Sequence, residues 1–304
     1  MRVAAIDCGT NSIRLLIADV SADGDRLTDV ARRLELVRLG EGVDRTGLLQ
    51  PAAIERTRQA LLGYAAEIAE LGVDRVRMCA TSASRDASNA ADFRAMVRAV
   101  LGVDPEVISG DEEARLSFAG AVHGLVADPP YLIVDIGGGS TEFVTGQAEP
   151  DHAISMDIGC VRMTERHLTS DPPTPEQIAA AERDITEAVD TALAAVPSRE
   201  AKTLVGLAGS VTTVTALALR LAEYDATRIH HARTSYDAVA KVTAELLAAT
   251  VAERLRLPVM HPGRADVIGA GALILRIIME RAGQTSVVAS EHDILDGIAF
   301  GLAP

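Results

Sequence analysis

Apolar runs and polar turns divide the chain into strands and helices. Val3 to Ile6 is a continuous apolar run that ends at Asp7, and a second run starts at Ile13 after the turn Gly9-Thr10-Asn11-Ser12, the pattern of a β-hairpin. The arrangement returns 128 positions later, where Ile133-Val134-Asp135 closes a strand, Gly137-Gly138-Gly139-Ser140 turns, and Thr141-Glu142-Phe143-Val144 opens the next strand. Asp, Gly and Ser keep register between the copies, which predicts a duplicated fold. The periodicity then predicts a third strand over 31–39, a helix over 51–71, a buried strand over 76–80, a helix over 89–101, an extended segment over 106–108 and a helix over 111–125. In the second half, Thr174-Pro175-Glu176-Gln177 reads as a capping box with proline at the first helical position, starting a helix that runs to about Ala195. A strand over 204–207, a helix opening at Gly209-Ser210, helices over 235–249, 265–282 and 293–302, and a strand over 286–289 complete an α/β alternation. The turn-rich Asp128-Pro129-Pro130 predicts the boundary between a domain of residues 1–128 and one of residues 129–304.

Composition narrows the chemistry. The longest apolar stretch, Val267 to Met279, is interrupted by Arg276 and predicts a core helix, not a membrane span. Asp7 comes too early for a secretory signal, and Cys8, Cys79 and Cys160 form no Cys-x-x-Cys pair, so a cytoplasmic protein without a disulfide framework or zinc site is expected. The 29 basic and 43 acidic residues leave a net charge of −14, which disfavours nucleic acid and anionic membranes as partners. The only lysines are Lys202 and Lys241, so no Gly-Lys-Ser/Thr loop exists, and phosphate must be met by arginine, backbone N–H or metal.

A Gly-rich turn leaving a strand exposes N–H groups that can form an anion-binding nest, and neighbouring hydroxyls add donors. Gly9-Thr10-Asn11-Ser12 and Gly137-Gly138-Gly139-Ser140-Thr141 both have this form, and predict two phosphate loops across a cleft between the halves; either alone also reads as an ordinary hairpin turn. Asp7 and Asp135 end buried strands, where they either cap the turn or coordinate Mg²⁺, or Mn²⁺ in its place. Glu142 lies just beyond the second turn and can join Asp135 at one ion. Asp111, Glu112 and Glu113 open a helix, as stabilisers of its dipole or with a general base among them. Arg85, among the hydroxyls of Thr81, Ser82 and Ser84, makes either a phosphate clamp or a capped loop. Gly209 and Ser210 start a helix that either accepts an anion or packs tightly on its strand. His230 and His231, beside Arg228 and Arg233, read as solvated surface.

Five ordered segments carry a resemblance. Asp7-x-Gly-Thr-Asn-Ser-x-Arg-Leu-Leu-Ile, Ala80-Thr-Ser-Ala-x-Arg85, Ile108-Ser-Gly-x-Glu-Glu-Ala-Arg-Leu, Asp135-Ile-Gly-Gly-Gly-Ser-Thr-Glu142 and Arg264-Ala-Asp-Val-Ile together resemble the exopolyphosphatase and guanosine pentaphosphate phosphohydrolase (Ppx/GppA) family. The resemblance spans nearly the whole chain. It implies two ribonuclease-H-like domains of the actin-like ATPase superfamily closing on a phosphate-binding cleft. It further implies Glu113 as catalytic base, Asp135 and Glu142 as Mg²⁺ ligands, and the two Gly loops with Arg85 as phosphate binders. Arg14, in the first segment, is expected to join them.

The expected reaction is removal of terminal orthophosphate from inorganic polyphosphate by water. Guanosine pentaphosphate is the alternative substrate; an ATP-dependent phosphotransferase and a non-catalytic phosphate or alarmone sensor are the alternative classes, and a homodimer is the oligomer considered. Trp is absent and aromatics are 3% of the chain, so no stacking platform for guanine is evident. Two departures from the family pattern stand out. Longer members continue into helical domains, whereas this chain stops at Pro304; with the negative net charge, this leads to an expected preference for short polyphosphate. Many members carry Gly-x-Arg-Glu-Gly where this chain has Asp293-Ile294-Leu295-Asp296-Gly297, so any substrate contact of that arginine is lost or supplied elsewhere.

Overall fold

The computed structural model describes residues 1–303 apart from 22 and 25, and these form two compact units, Met1–Gly120 with the segment from Ile294 onward, and Ala121–Asp293. In the first unit, β1 (Arg2–Cys8), β2 (Ile13–Val20) and β3 (Leu27–Glu35) make an antiparallel meander. There follow α1 (Val43–Thr46), α2 (Pro51–Glu70), β4 (Arg75–Ala80), α3 (Ser82–Asp86), α4 (Ala90–Leu101), β5 (Glu106–Val107) and α5 (Gly110–Val122). The sheet order is β3-β2-β1-β4-β5, with β4 parallel to β1 and β5. Central β1 is covered on both faces, which is why it reads as an unbroken apolar run.

The second unit repeats this plan. Strands β6 (Tyr131–Ile136), β7 (Thr141–Gly146) and β8 (Pro150–Met156) form the meander, followed by α6 (Cys160–His167), α7 (Pro175–Ala195), β9 (Thr203–Leu207) and α8 (Ala208–Ala218). Then come α9 (Ala226–Ile229), β10 (Arg233–Ser235), α10 (Tyr236–Ala248), α11 (Val251–Arg254), α12 (Ile268–Arg281) and β11 (Ser286–Ala289). The order β10-β11-β9-β6-β7-β8 contains the same run as the first sheet, meander beside one parallel strand, so the expected duplication is present in the topology. The capping box of α7 forms as read, with Thr174 and Gln177 bonding each other's backbone at 3.3 Å. Among the described residues no helix is long and apolar enough to cross a membrane.

The domain boundaries need correction. The first division falls at residues 120 and 121, inside α5, and not at 128, while Pro304, the end of the second expected domain, lies outside the described residues. The last helix, α13 (Ile294–Phe300), returns to the first unit, where Ile294, Leu295, Ile298 and Ala299 pack with Val3, Ala5, Leu16 and Ile108. Turn residues mark where the chain bends, but this apolar helix face decides which core it joins. Gly297 makes the packing possible, since a Cβ there would lie 2.0 Å from the carbonyl oxygen of Leu116.

Leu295 is only 1% exposed. Leu295→Arg, which writes back the residue common in the family, should therefore lower thermal stability by several degrees or prevent folding, because a guanidinium would enter a core of packed aliphatic side chains. An unchanged unfolding midpoint by circular dichroism would contradict this.

Candidate active site

Both hairpin turns close alike. The Gly9 N–H donates to the Ser12 carbonyl at 2.9 Å, and the Gly137 N–H to the Ser140 carbonyl at 3.0 Å. The residues flanking each turn are cross-strand partners, Asp7 with Arg14 and Asp135 with Glu142. Equivalent places thus hold opposite charges in the first copy and like charges in the second. Arg14 donates Nε and Nη2 to Oδ2 of Asp7 at 3.1 and 2.7 Å. Arg14 and Asp7, expected at phosphate and at metal, are joined to each other, because the strand register places them side by side.

Asp135 and Glu142 are 7% and 1% exposed. Directly opposed like charges destabilise a strand pair unless a cation or proton intervenes. Ser155, opposite Glu142 on β8, donates its hydroxyl to Oε1 at 2.7 Å and fixes that carboxylate. Two hard oxygen donors beside a phosphate-type turn suit a divalent ion such as Mg²⁺, which completes its shell with water and phosphate oxygens. No group of three His, Cys, Asp or Glu placed to hold a metal exists among the described residues.

The first turn is built in between neighbouring backbone segments. Thr81 N–H donates to the Cys8 carbonyl at 3.1 Å, which starts α3 beside Gly9. On the other side, the N–H groups of Arg38 and Gly40 donate to the carbonyls of Asn11 and Thr10, both at 2.9 Å. A Cβ on Gly40 would lie 2.3 Å from the Thr10 methyl, and Arg38 takes a φ of 49°, a left-handed conformation that costs roughly 1–2 kcal/mol for a residue with a side chain. The turn so held leaves Thr10 Oγ1, Asn11 Oδ1 and Ser84 Oγ buried without a hydrogen-bond partner. Each such group costs about 1–3 kcal/mol, and a ligand bearing several oxygens would satisfy the two hydroxyls.

The acidic helix start resolves into separate roles. Asp111 and Glu112 bond Arg115 and Arg77 near the surface, at 2.8 and 3.0 Å. Glu113 turns inward, 9% exposed, and Oε2 accepts from Arg85 Nη1 at 2.7 Å. The same nitrogen donates to the Ile108 carbonyl at 3.0 Å. Arg85 and Glu113, expected at phosphate and as base, meet each other in a charge-assisted bond that fixes the carboxylate in place.

Other expected contacts lie elsewhere. The Thr141 hydroxyl is buried and donates to the Ile158 carbonyl, which stabilises the loop before α6. Ser210 is 4% exposed and packs on Gly271, where a Cβ would come within 2.2 Å of its hydroxyl. At Gly209 the Arg264 guanidinium occupies the place of a side chain, with Nη1 donating to the Gly209 carbonyl at 3.1 Å and to Thr213 at 2.9 Å. At this helix start Ser210 packs tightly on α12, and Gly209 makes room for the arginine of the fifth segment. His230 and His231 are half-buried and not solvated surface; their rings stack at 3.7 Å, with His292 at 4.5 Å from His230. The three cysteines are free and buried, and burial pushes the Cys79 thiol up to about 12, which excludes it as a thiolate nucleophile at neutral pH. Sequence reasoning missed Ser155, the 38–40 segment and α6. Their importance comes from what the fold sets beside them.

Comparison with known proteins identifies the family. A sequence model of the Ppx/GppA phosphatase family matches residues 16–304. The chain is 52% identical to exopolyphosphatase 2 of Mycobacterium tuberculosis, across 99% of this chain and 98% of that one. The crystal structure of an exopolyphosphatase-like protein superposes with a TM-score of 0.96 at 45% identity, covering 99% of this chain and 97% of the other. The Aquifex aeolicus PPX-GPPA enzyme does so with a TM-score of 0.83 at 32% identity, covering 99% of both chains. By sequence and by its two α/β units of the actin-like ATPase fold, this chain belongs to the Ppx/GppA phosphatase family.

Proposed function

We propose that the protein is a cytoplasmic, Mg²⁺-dependent exopolyphosphatase that releases terminal orthophosphate from inorganic polyphosphate. The observation that carries this reading is the pair of buried, unpartnered hydroxyls, Thr10 Oγ1 and Ser84 Oγ, in the unit that also holds the inward Glu113 with Arg85. These hydroxyls require acceptors, and phosphate oxygens supply them without any base or sugar. Glu113 accepts the proton of the attacking water as its oxygen bonds to the terminal phosphorus. The bond from that phosphorus to the bridging oxygen breaks, and the chain leaves one phosphate shorter. Backbone N–H groups of the first turn, beside the Thr10 and Ser84 hydroxyls, hold phosphate oxygens through the change. Asp135 and Glu142 would hold Mg²⁺, with Mn²⁺ as a substitute, and the ion would offset charge on the phosphate oxygens. Free buried cysteines accord with a reducing compartment.

A substrate panel tests this. Orthophosphate release from tripolyphosphate should proceed with a higher kcat/KM than from long polyphosphate or guanosine pentaphosphate, because the net charge of −14 repels long polyanions outside the site. A preference for guanosine pentaphosphate would overturn the substrate reading. Phosphate transfer to an acceptor, or tight binding without release, would overturn hydrolysis itself.

A further inference from the structure

The second turn has a support outside all five motif segments. The first three amides of α6, those of Cys160, Val161 and Arg162, donate to the carbonyls of Gly137, Gly138 and Gly138 at 2.9, 2.9 and 3.1 Å. Gly159 allows this approach, since a Cβ there would lie 2.3 Å from the carbonyl carbon and oxygen of Gly138. The next amide, of Met163, already bonds the Gly159 carbonyl at 2.9 Å and begins the helical ladder. No α6 amide therefore remains for the third carbonyl of the turn. Arg162 reaches it with its side chain, Nε donating to the Gly139 oxygen at 2.7 Å, and that side chain is only 11% exposed.

The geometry points to Arg162 as the positioning residue of the second phosphate turn, an inference that rests on the phosphate reading of that turn. A trans peptide directs its C=O and the following N–H in opposite directions. With the carbonyls of Gly137, Gly138 and Gly139 all drawn toward α6, the N–H groups of Gly138, Gly139 and Ser140 turn away from it together, in the arrangement of an anion nest. Without the Arg162 bond the last of these peptides is free to rotate. The charged donor also polarises the Gly139–Ser140 peptide, which makes the Ser140 N–H a stronger donor. Arg162 thus acts through the turn and not by touching substrate.

Calorimetric binding of methylenediphosphonate, which has no bridging oxygen to hydrolyse, tests this in the full chain. Arg162→Met should weaken binding roughly 10- to 100-fold, the scale of losing a hydrogen bond to a charged group. Arg162→Gln keeps an N–H donor and should recover much of the loss, whereas Arg162→Lys keeps the charge without the planar donor and should recover less. kcat/KM on tripolyphosphate should follow the same order. Equal binding by wild type and the Met variant would overturn the inference and leave the phosphate reading standing. Recovery by Lys above Gln would overturn it as well, since charge at the ligand would then be the operative property. Failure of the wild type to bind the probe would overturn the phosphate reading and this inference together. Should the Met variant not fold, the comparison of Gln with Lys decides.

Discussion

Glu113→Gln should lower kcat by about 10²–10⁴ while leaving polyphosphate binding nearly unchanged, because the amide keeps the size of the side chain but cannot take a proton from water. The surrounding structure should survive the change. The Gln oxygen can still accept from Arg85 Nη1, which makes a 2.7 Å bond to Glu113, and that nitrogen keeps its second bond to the Ile108 carbonyl. Single-turnover phosphate release, with tripolyphosphate affinity measured separately, checks both halves of the expectation. Retention of more than roughly a tenth of the wild-type kcat would remove Glu113 from the role of base, being well short of that loss. Neighbouring Glu112 would then be the next candidate, although its bond to Arg77 and its 47% side-chain exposure place it at the surface.

Asp135→Asn and Glu142→Gln should each raise the Mg²⁺ concentration for half-maximal rate by at least roughly tenfold, since each removes a charged oxygen from a hard cation. The structure adds a stability signature. In the metal-free protein the two carboxylates oppose each other across β6 and β7, so either substitution removes a like-charge pair and should raise the unfolding temperature measured without Mg²⁺. Addition of Mg²⁺ should then raise the midpoint of the wild type more than that of either variant, because an ion that binds only the folded state stabilises it by mass action. Unchanged half-saturation in both variants would leave the carboxylates as structural caps of the turn.

The local pattern of the chain carried much of this. Both hairpins were legible because apolar runs, Gly-rich turns and flanking acids are short-range features, and the capping box of α7 was legible for the same reason. The third strand was expected over 31–39 and lies at Leu27–Glu35, since pairing with β2 sets its limits. Strand β8 and helix α6, both short, went unread, yet they bring Ser155 to Glu142 and Arg162 to Gly139.

By itself the sequence determined the α/β class, the duplication, the two phosphate-type turns and the candidate carboxylates, because periodicity and turn chemistry act over a few neighbouring residues. Only the tertiary structure decided which charges meet. Register joins Asp7 to Arg14 but opposes Asp135 to Glu142, the fold of the first unit turns Glu113 inward and leaves Glu112 outside, and α13 enters the first core from the far end of the chain. Those outcomes depend on contacts between residues far apart in sequence, whose free energy comes from burial and strand pairing that no local window contains.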